Sequence, residues 1–401
     1  MNLKLNRIAV LWLLYFAIFL TSCQDNEVTP VNESLVSYES ILTRTSSELQ
    51  TILGASNINL PLSSLQLDVE LYEITYKTTY LNNEQITASG IVILPKGSGN
   101  YPMVSFQHGT IAANSQAPSM LPLNSTELIL YAALASPGFI TAIPDFIGFG
   151  SSSNVLHPYY VRELTASTVV DMLKATKELA REKGINFDGK LFLAGYSQGG
   201  YATMAAHQSI EKNALSGFDL VASFPSSGGY DVKAMQEYFF GLDTYAEPFF
   251  LGYVAMAYKT TFAWTQPLSD FFQEPYASRM PDLFDGNKTG QEINAQLTTS
   301  INELVSFDLL TKIDSDTRYK YIVDAFEENS LVDWIPKKPL HMYHGDIDIT
   351  VPYDNSVVTY NKLISNGASE AIVTFTTVPG THYTGVIPYL EDFIPKMLSL
   401  K

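Results

Sequence analysis

The sequence predicts an α/β protein: a mostly parallel sheet flanked by helices, with a helical cap inserted late in the core. Three features predict it. Between residues 100 and 229, short apolar runs alternate with amphipathic stretches of helix length, the rhythm of a parallel sheet covered on both faces. From about Tyr230 to Lys338 no strand-like run occurs, and aromatic side chains such as Phe239, Phe249, Phe262 and Trp264 are dense in helix-like segments. Past residue 339 the strand–helix rhythm resumes. The 401 residues therefore divide into a leader (1–22), a polar tether (23–34), a core formed by 35–229 and 339–401, and the cap (230–338).

The leader has its own logic. Lys4 and Arg7 precede the apolar stretch IAVLWLLYFAIFL, Ile8 to Leu20. A basic start followed by so short an apolar run is an export signal rather than a membrane span. Leu20, Thr21 and Ser22 before Cys23 resemble a bacterial lipobox, which implies a lipidated Cys23 at the mature N-terminus. Cys23 is the only cysteine, so no disulfide forms within one chain. Attached acyl chains add about 0.8 kcal/mol per buried CH₂ and anchor stably when there is more than one. The expected location is therefore the bacterial outer membrane or cell surface. With 46% hydrophobic and 16% charged residues the chain falls outside the disordered class. A formal charge of −17 argues against nucleic acid as a partner.

Each core element follows in order. LDVELYEITYKTTYL and ITASGIVILP flank NNEQ, which reads as an antiparallel hairpin. YPMVSFQHGT is a strand running into a loop, and TELILYAALAS is a helix stopped at Pro137 and Gly138. FITAIPDFIGFG is a buried strand with a glycine-rich exit. RELTASTVVDMLKATKELAREKG is the clearest amphipathic helix, with Leu164, Val169, Leu173, Thr176 and Ala180 on one face. Then come the strand KLFLAG, the turn GYSQGG, the helix YATMAAHQSIEK and the strand LVASFPSSGG. Beyond the cap, PLHMYHGDIDITVP, a helix near 355–365, the strand AIVTFTTV, the loop PGTHY and a terminal helix complete the core.

The chemistry-bearing residues cluster at predicted strand ends. A serine hydroxyl becomes a nucleophile only when a base takes its proton and donors hold the oxyanion. Ser197 lies in G-x-S-x-G between an apolar strand and a helix, the setting of a nucleophile elbow. About 0.1 chance matches to that pattern are expected in a chain this long, so the pattern needs partners. His382 in PGTHY follows the last apolar strand and is the base that suits Ser197. Of the other histidines, His108 and His344 read as loop-shaping, His207 as structural or exposed, and His341 as core packing. Asp346 and Asp348 in HGDIDITVP both offer a carboxylate, and the position before xxVP favours Asp348. The N–H of Gln198 sits at a helix start, and the N–H of Thr110 or a neighbour in QHGT supplies a second oxyanion donor. Asp145 reads as a hydrogen-bond acceptor for nearby loop backbone. HPYY (157–160) and the scattered carboxylates lack metal-ligand spacing, and the glycine-rich stretches match no nucleotide fingerprint; no cofactor is needed.

QHGT, PDFIGFG, GYSQGG, HGDIDITVP and GTHY together resemble the α/β-hydrolase superfamily. More narrowly they resemble secretory lipases and related bacterial lipoprotein esterases, over roughly residues 66 to 400. The resemblance implies a Ser197–Asp348–His382 triad, an oxyanion hole at Thr110 and Gln198, and a cap between the sixth and seventh core strands. It also implies a serine hydrolase acting on small-molecule carboxylic esters, and the aromatic cap predicts apolar acyl or aryl groups rather than charged ones. A serine peptidase on the same fold, or a surface binding lipoprotein, are the alternatives. Gln198 departs from the histidine or methionine that many lipases carry after the nucleophile, which leaves the substrate open.

Overall fold

The computed structural model describes residues 32–56 and 58–401; the leader and Cys23 lie outside them. In chain order the elements are β1 (Leu35–Arg44), α1 (Ser46–Gly54), β2 (Val69–Thr79), β3 (Gln85–Pro95), β4 (Asn100–Gln107), α2 (Thr126–Ala135), β5 (Ile140–Pro144), α3 (Arg162–Glu182), β6 (Asn186–Tyr196), α4 (Gln198–Asn213) and β7 (Asp219–Ser226). Seven α-helices follow before the next strand: α5 (Val232–Phe240), α6 (Phe249–Thr261), α7 (Tyr276–Leu283), α8 (Gly290–Asn294), α9 (Ile301–Leu304), α10 (Phe307–Lys312) and α11 (Lys320–Asn329). The chain closes with β8 (Leu340–Gly345), α12 (Tyr353–Ser365), β9 (Val373–Val378) and α13 (Val386–Ser399).

The strands form one sheet in the order β1-β2-β3-β5-β4-β6-β7-β8-β9. The hairpin β2–β3 pairs without a slip from Val69↔Pro95 to Thr79↔Gln85, and its turn uses Asn82 and Asn83 at φ 54° and 60°, a backbone region asparagine tolerates. From β5 through β4, β6, β7, β8 and β9 every pairing is parallel. Parallel strands need crossovers, and helices on both faces bury them. Accordingly all five residues of β5 are buried. One face packs against α1, α2 and α13; the other packs against α3, α4, α12 and the helices that follow β7.

Two details differ from the sequence-based expectation. β1 is an added edge strand, so the helical insertion falls between the seventh and eighth strands of the sheet rather than the sixth and seventh. Most of its residues are exposed, and it is held by backbone pairing with β2 across two register shifts. The inward face of α3 runs through Thr165, Val169, Met172, Leu173, Thr176 and Ala180, while Leu164 is half-buried.

The insertion leaves and rejoins the core at one place. Asp231, buried, accepts from the N–H of Ala234 at 3.0 Å to start α5 and from Lys362 Nζ of α12 at 2.7 Å. Ser330 Oγ, at the far end, accepts from Val232 N at 3.0 Å. Asn355 Nδ2 donates to the Asp231 carbonyl at 2.9 Å, and Tyr201 Oη of α4 donates to the Asn329 carbonyl at 2.7 Å. Among the described residues no helix is long and apolar enough to cross a membrane.

Candidate active site

Strand β6 delivers Ser197 at φ 59°, ψ −122°, a conformation that costs a non-glycine residue of order 1–3 kcal/mol. The surroundings enforce it. Ser197 N–H donates to the Ser226 carbonyl of β7 at 2.9 Å. A Cβ on Gly199 would overlap the Gln107 carbonyl of β4, and one on Gly200 would overlap that of Ser226. Glycine is therefore required where three strand ends converge on one helix start. The Ser197 side chain does not cap α4, so its hydroxyl and the first helical N–H groups stay free for other partners.

The structure brings three of the predicted residues into one line. Ser197 Oγ lies 2.8 Å from His382 Nε2, and His382 Nδ1 lies 2.6 Å from Asp348 Oδ2. All three are buried. They sit on the loops after β6, β8 and β9, at the carboxyl edge of neighbouring strands. Tyr196 Oη donates to the His382 carbonyl at 2.8 Å, so the residue before the serine also holds the histidine loop.

Asp348 is held as a carboxylate. Burial alone would raise its pKa, but hydrogen bonds from His344 and His382 outweigh this and set it below the ordinary value. Its Oδ1 also accepts from the N–H groups of Thr350 and Val351 at 2.9 and 3.0 Å. His344 Nε2 faces Val351 O at 3.0 Å and Asp348 Oδ2 at 3.2 Å, with Ser356 Oγ at 2.6 Å from Nδ1. A carbonyl only accepts, so Nε2 carries a proton and donates toward Val351 O and Asp348 Oδ2. The loop-shaping reading of His344 thus extends to Asp348. Asp346 turns away: it is exposed and its Oδ1 accepts from Gly380 N at 2.8 Å, tying the two loops together.

The remaining predicted residues fall as follows. Gln198 opens α4 and is 1% exposed. Gly109 runs beside Ser197, since a Cβ built on it would stand 3.7 Å from Ser197 Cβ. Thr110, next along, has its hydroxyl 2.9 Å from Tyr159 Oη. His108 Nδ1 lies 2.7 Å from the Gly109 carbonyl. Asp145 accepts from Ser89 Oγ at 2.7 Å, and from Ser119 Oγ and N at 2.5 and 2.9 Å, so hydroxyls join the backbone there. His207 is buried rather than exposed, between Ser223 Oγ at 2.8 Å and Glu211 Oε1 at 2.9 Å. His341 is half-buried and pairs with Thr374 Oγ1 at 2.8 Å. Tyr196 and His157 also meet residues of this site, contacts that no pattern in the sequence marks. In the sequence His157 stands out only through HPYY, which lacks metal-ligand spacing.

Ser197 forms part of the wall of an apolar pocket of about 110 Å³ that extends under the insertion. Tyr159, Phe239, Phe250, Val254, Tyr258 and Trp264 are among its walls. One water needs only about 10–15 Å³, so a chain of several carbon atoms fits. The insertion also touches both partner loops: Tyr245 Oη donates to the Thr350 carbonyl at 2.9 Å and Tyr383 Oη to Glu247 Oε1 at 2.5 Å.

Comparison with known proteins agrees with this architecture. A presumed hydrolase of Legionella pneumophila superposes with a TM-score of 0.82 at 26% identity, covering 92% of this chain and 98% of that one. The rice cell wall degrading esterase LipA of Xanthomonas oryzae gives 0.78 at 23% identity, covering 92% and 100%. The chain has the α/β-hydrolase fold. Candida antarctica lipase A shares this α/β-hydrolase fold more distantly, with a TM-score of 0.64 at 15% identity over 92% of this chain and 83% of that one. The profile of the secretory lipase family matches residues 115–221, which span α2, β5, α3, β6 and α4 of the α/β-hydrolase core and reach into β7. No protein with a curated description matches by sequence.

Buried histidines give a pH signature. Burial lowers the pKa of His157 to about 3 and of His341 to about 4, and also lowers that of His108. The unfolded chain binds these protons near pH 6.5, so stability falls as pH drops from about 6.5 toward 4. Asp348, with a depressed pKa, acts in the same direction at the acidic end. In urea unfolding, His157→Gln is expected to flatten this slope by about one proton, roughly 1.4 kcal/mol per pH unit. An unchanged slope would show that His157 is not held neutral.

Proposed function

We propose that the protein is an exported serine hydrolase that cleaves carboxylic esters through an acyl-enzyme. The observation that carries this reading is the hydrogen-bonded line from Ser197 Oγ through His382 to Asp348 beside an uncapped helix start. Ser197 Oγ attacks the ester carbonyl as His382 Nε2 takes its proton. Asp348 holds the Nδ1–H tautomer and stabilises the imidazolium. The N–H groups of Gln198 and Thr110 receive the oxyanion. His382 then hands the proton to the leaving alcohol, and water frees the acyl group by the same route. The likeness to secretory lipases over residues 115–221 and to the LipA esterase supports this reaction class.

The apolar pocket at Ser197 suits uncharged acyl or aryl groups. Each methylene buried there is worth about 0.8 kcal/mol, roughly fourfold in rate. Along a p-nitrophenyl series, kcat/KM is expected to climb by about that factor per carbon from acetate until the pocket is full. A flat series would remove the acyl chain from this pocket. Amide turnover rivalling ester turnover would shift the reading to a peptidase. A folded protein that no fluorophosphonate labels would be a binding protein instead. For the anchor, Cys23→Ala is expected to move the protein from the membrane to the soluble fraction; retention at the membrane would discard lipidation at Cys23.

A further inference from the structure

HPYY has no place in the triad, yet its histidine touches the residue that follows the nucleophile. His157 is buried, with its ring among Phe149, Tyr253 and Tyr159 at centroid distances of 5.0, 5.7 and 5.9 Å. Its Nδ1 lies 2.6 Å from the Ile147 carbonyl. A carbonyl only accepts, so Nδ1 carries the proton and Nε2 offers a lone pair. Opposite that lone pair, at 2.6 Å, stands Gln198 Nε2. The reverse amide orientation would set the Gln198 oxygen against the lone pair, because burial keeps this imidazole unprotonated. The donor orientation instead leaves Gln198 Oε1 as a buried atom with no hydrogen-bond partner. One hydrogen bond therefore outweighs a lost one in fixing this side chain.

Gln198 is also the first residue of α4, and its own N–H is the elbow-side donor to the oxyanion in the reading above. Its backbone is set on one side by the strained Ser197 and its side chain on the other by His157. We propose that His157 is a positioning residue for the oxyanion hole, holding the Gln198 side chain and through it the backbone N–H that meets the developing charge. This rests on the ester hydrolase reading. A donor displaced by even 1 Å loses much of its effect on a transition state while ground-state binding barely changes.

The test compares full-length variants on one p-nitrophenyl ester, with fluorophosphonate titration of Ser197 to count active sites. His157→Leu removes the acceptor and is expected to lower kcat ten- to a hundredfold, with KM within about twofold. His157→Gln puts a carbonyl oxygen near the lost Nε2 and is expected to restore kcat to within about threefold of wild type. Gln198→Leu should match His157→Leu, and the double variant should be no slower than the slower single one. The proposal is overturned by a His157→Leu kcat within twofold of wild type, by no recovery in His157→Gln, or by losses that multiply in the double variant. If His157→Leu does not fold, Gln198→Leu decides together with His157→Gln: a Gln198→Leu kcat near wild type overturns the proposal. A wild type that neither turns over ester nor takes the probe overturns the hydrolase reading and this inference with it. An active wild type with an unaffected His157→Leu overturns this inference alone.

Discussion

Ser197→Ala is expected to lower kcat on a short p-nitrophenyl ester by on the order of 10⁴- to 10⁶-fold, with folding intact. The substitution deletes one oxygen and keeps Cβ, so the pocket and the helix start behind residue 197 are unchanged. Only the hydrogen bond to His382 is lost, and an ordinary one contributes about 1 kcal/mol. The backbone at φ 59° is held by Gly199, Gly200 and the Ser226 carbonyl rather than by the hydroxyl. Stability should thus shift by no more than about 1 kcal/mol in thermal unfolding while turnover collapses. Residual rate comes from the oxyanion donors and substrate binding alone. Turnover within tenfold of wild type, from protein free of contaminating esterase, would end the assignment of Ser197.

Asp348→Asn is expected to cost about 10⁴-fold in kcat, whereas Asp346→Asn should stay within about threefold. The asymmetry follows from their partners. Asp348 receives four donors: His382 Nδ1, His344 Nε2 and the N–H groups of Thr350 and Val351. An amide cannot accept on both ends. If its NH₂ faces His382, the imidazole takes the tautomer with the proton on Nε2 and cannot receive the serine's. If its NH₂ faces the backbone instead, it meets two N–H donors, which strains the loop. Asp346 accepts one backbone N–H at the surface, and an asparagine oxygen does the same. Steady-state kinetics and thermal midpoints of both variants check this. Loss of activity in Asp346→Asn with Asp348→Asn intact would transfer the role.

Periodicity was enough for the parallel core, because strands buried on both faces are apolar runs of the right length and the crossover helices between them are amphipathic. β1 escaped it because most of its side chains are exposed, and the short alternation VSYE buries neither of its faces. Its stability lies in backbone pairing with β2, which leaves no trace in residue type. At the site, Ser197, His382 and Asp348 stood out because each sits at a strand end in a recognisable local pattern. Their supports did not. Tyr196 reaches a carbonyl 186 positions away, and His157 meets Gln198 across 41 residues. Such pairs depend on where the sheet brings loops together, which a single chain of letters does not encode locally. Thr110 was reachable through QHGT, but its tie to Tyr159 was not.

The seam at Asp231 and Ser330 bears on how such a protein diversifies. A hundred residues depart and return through two positions bridged by Ser330 Oγ, Val232 N and the Asp231 carboxylate. Closing that long excursion therefore asks no adjustment of β7 against β8. What hangs from the seam can then be rewritten, apart from the ties of Tyr245 to Thr350 and of Glu247 to Tyr383, while the strand ends that carry Ser197, Asp348 and His382 keep their spacing. Diversity in such a lineage is expected to collect between residues 232 and 329. The two anchoring positions should change far more slowly than the aromatic walls they suspend.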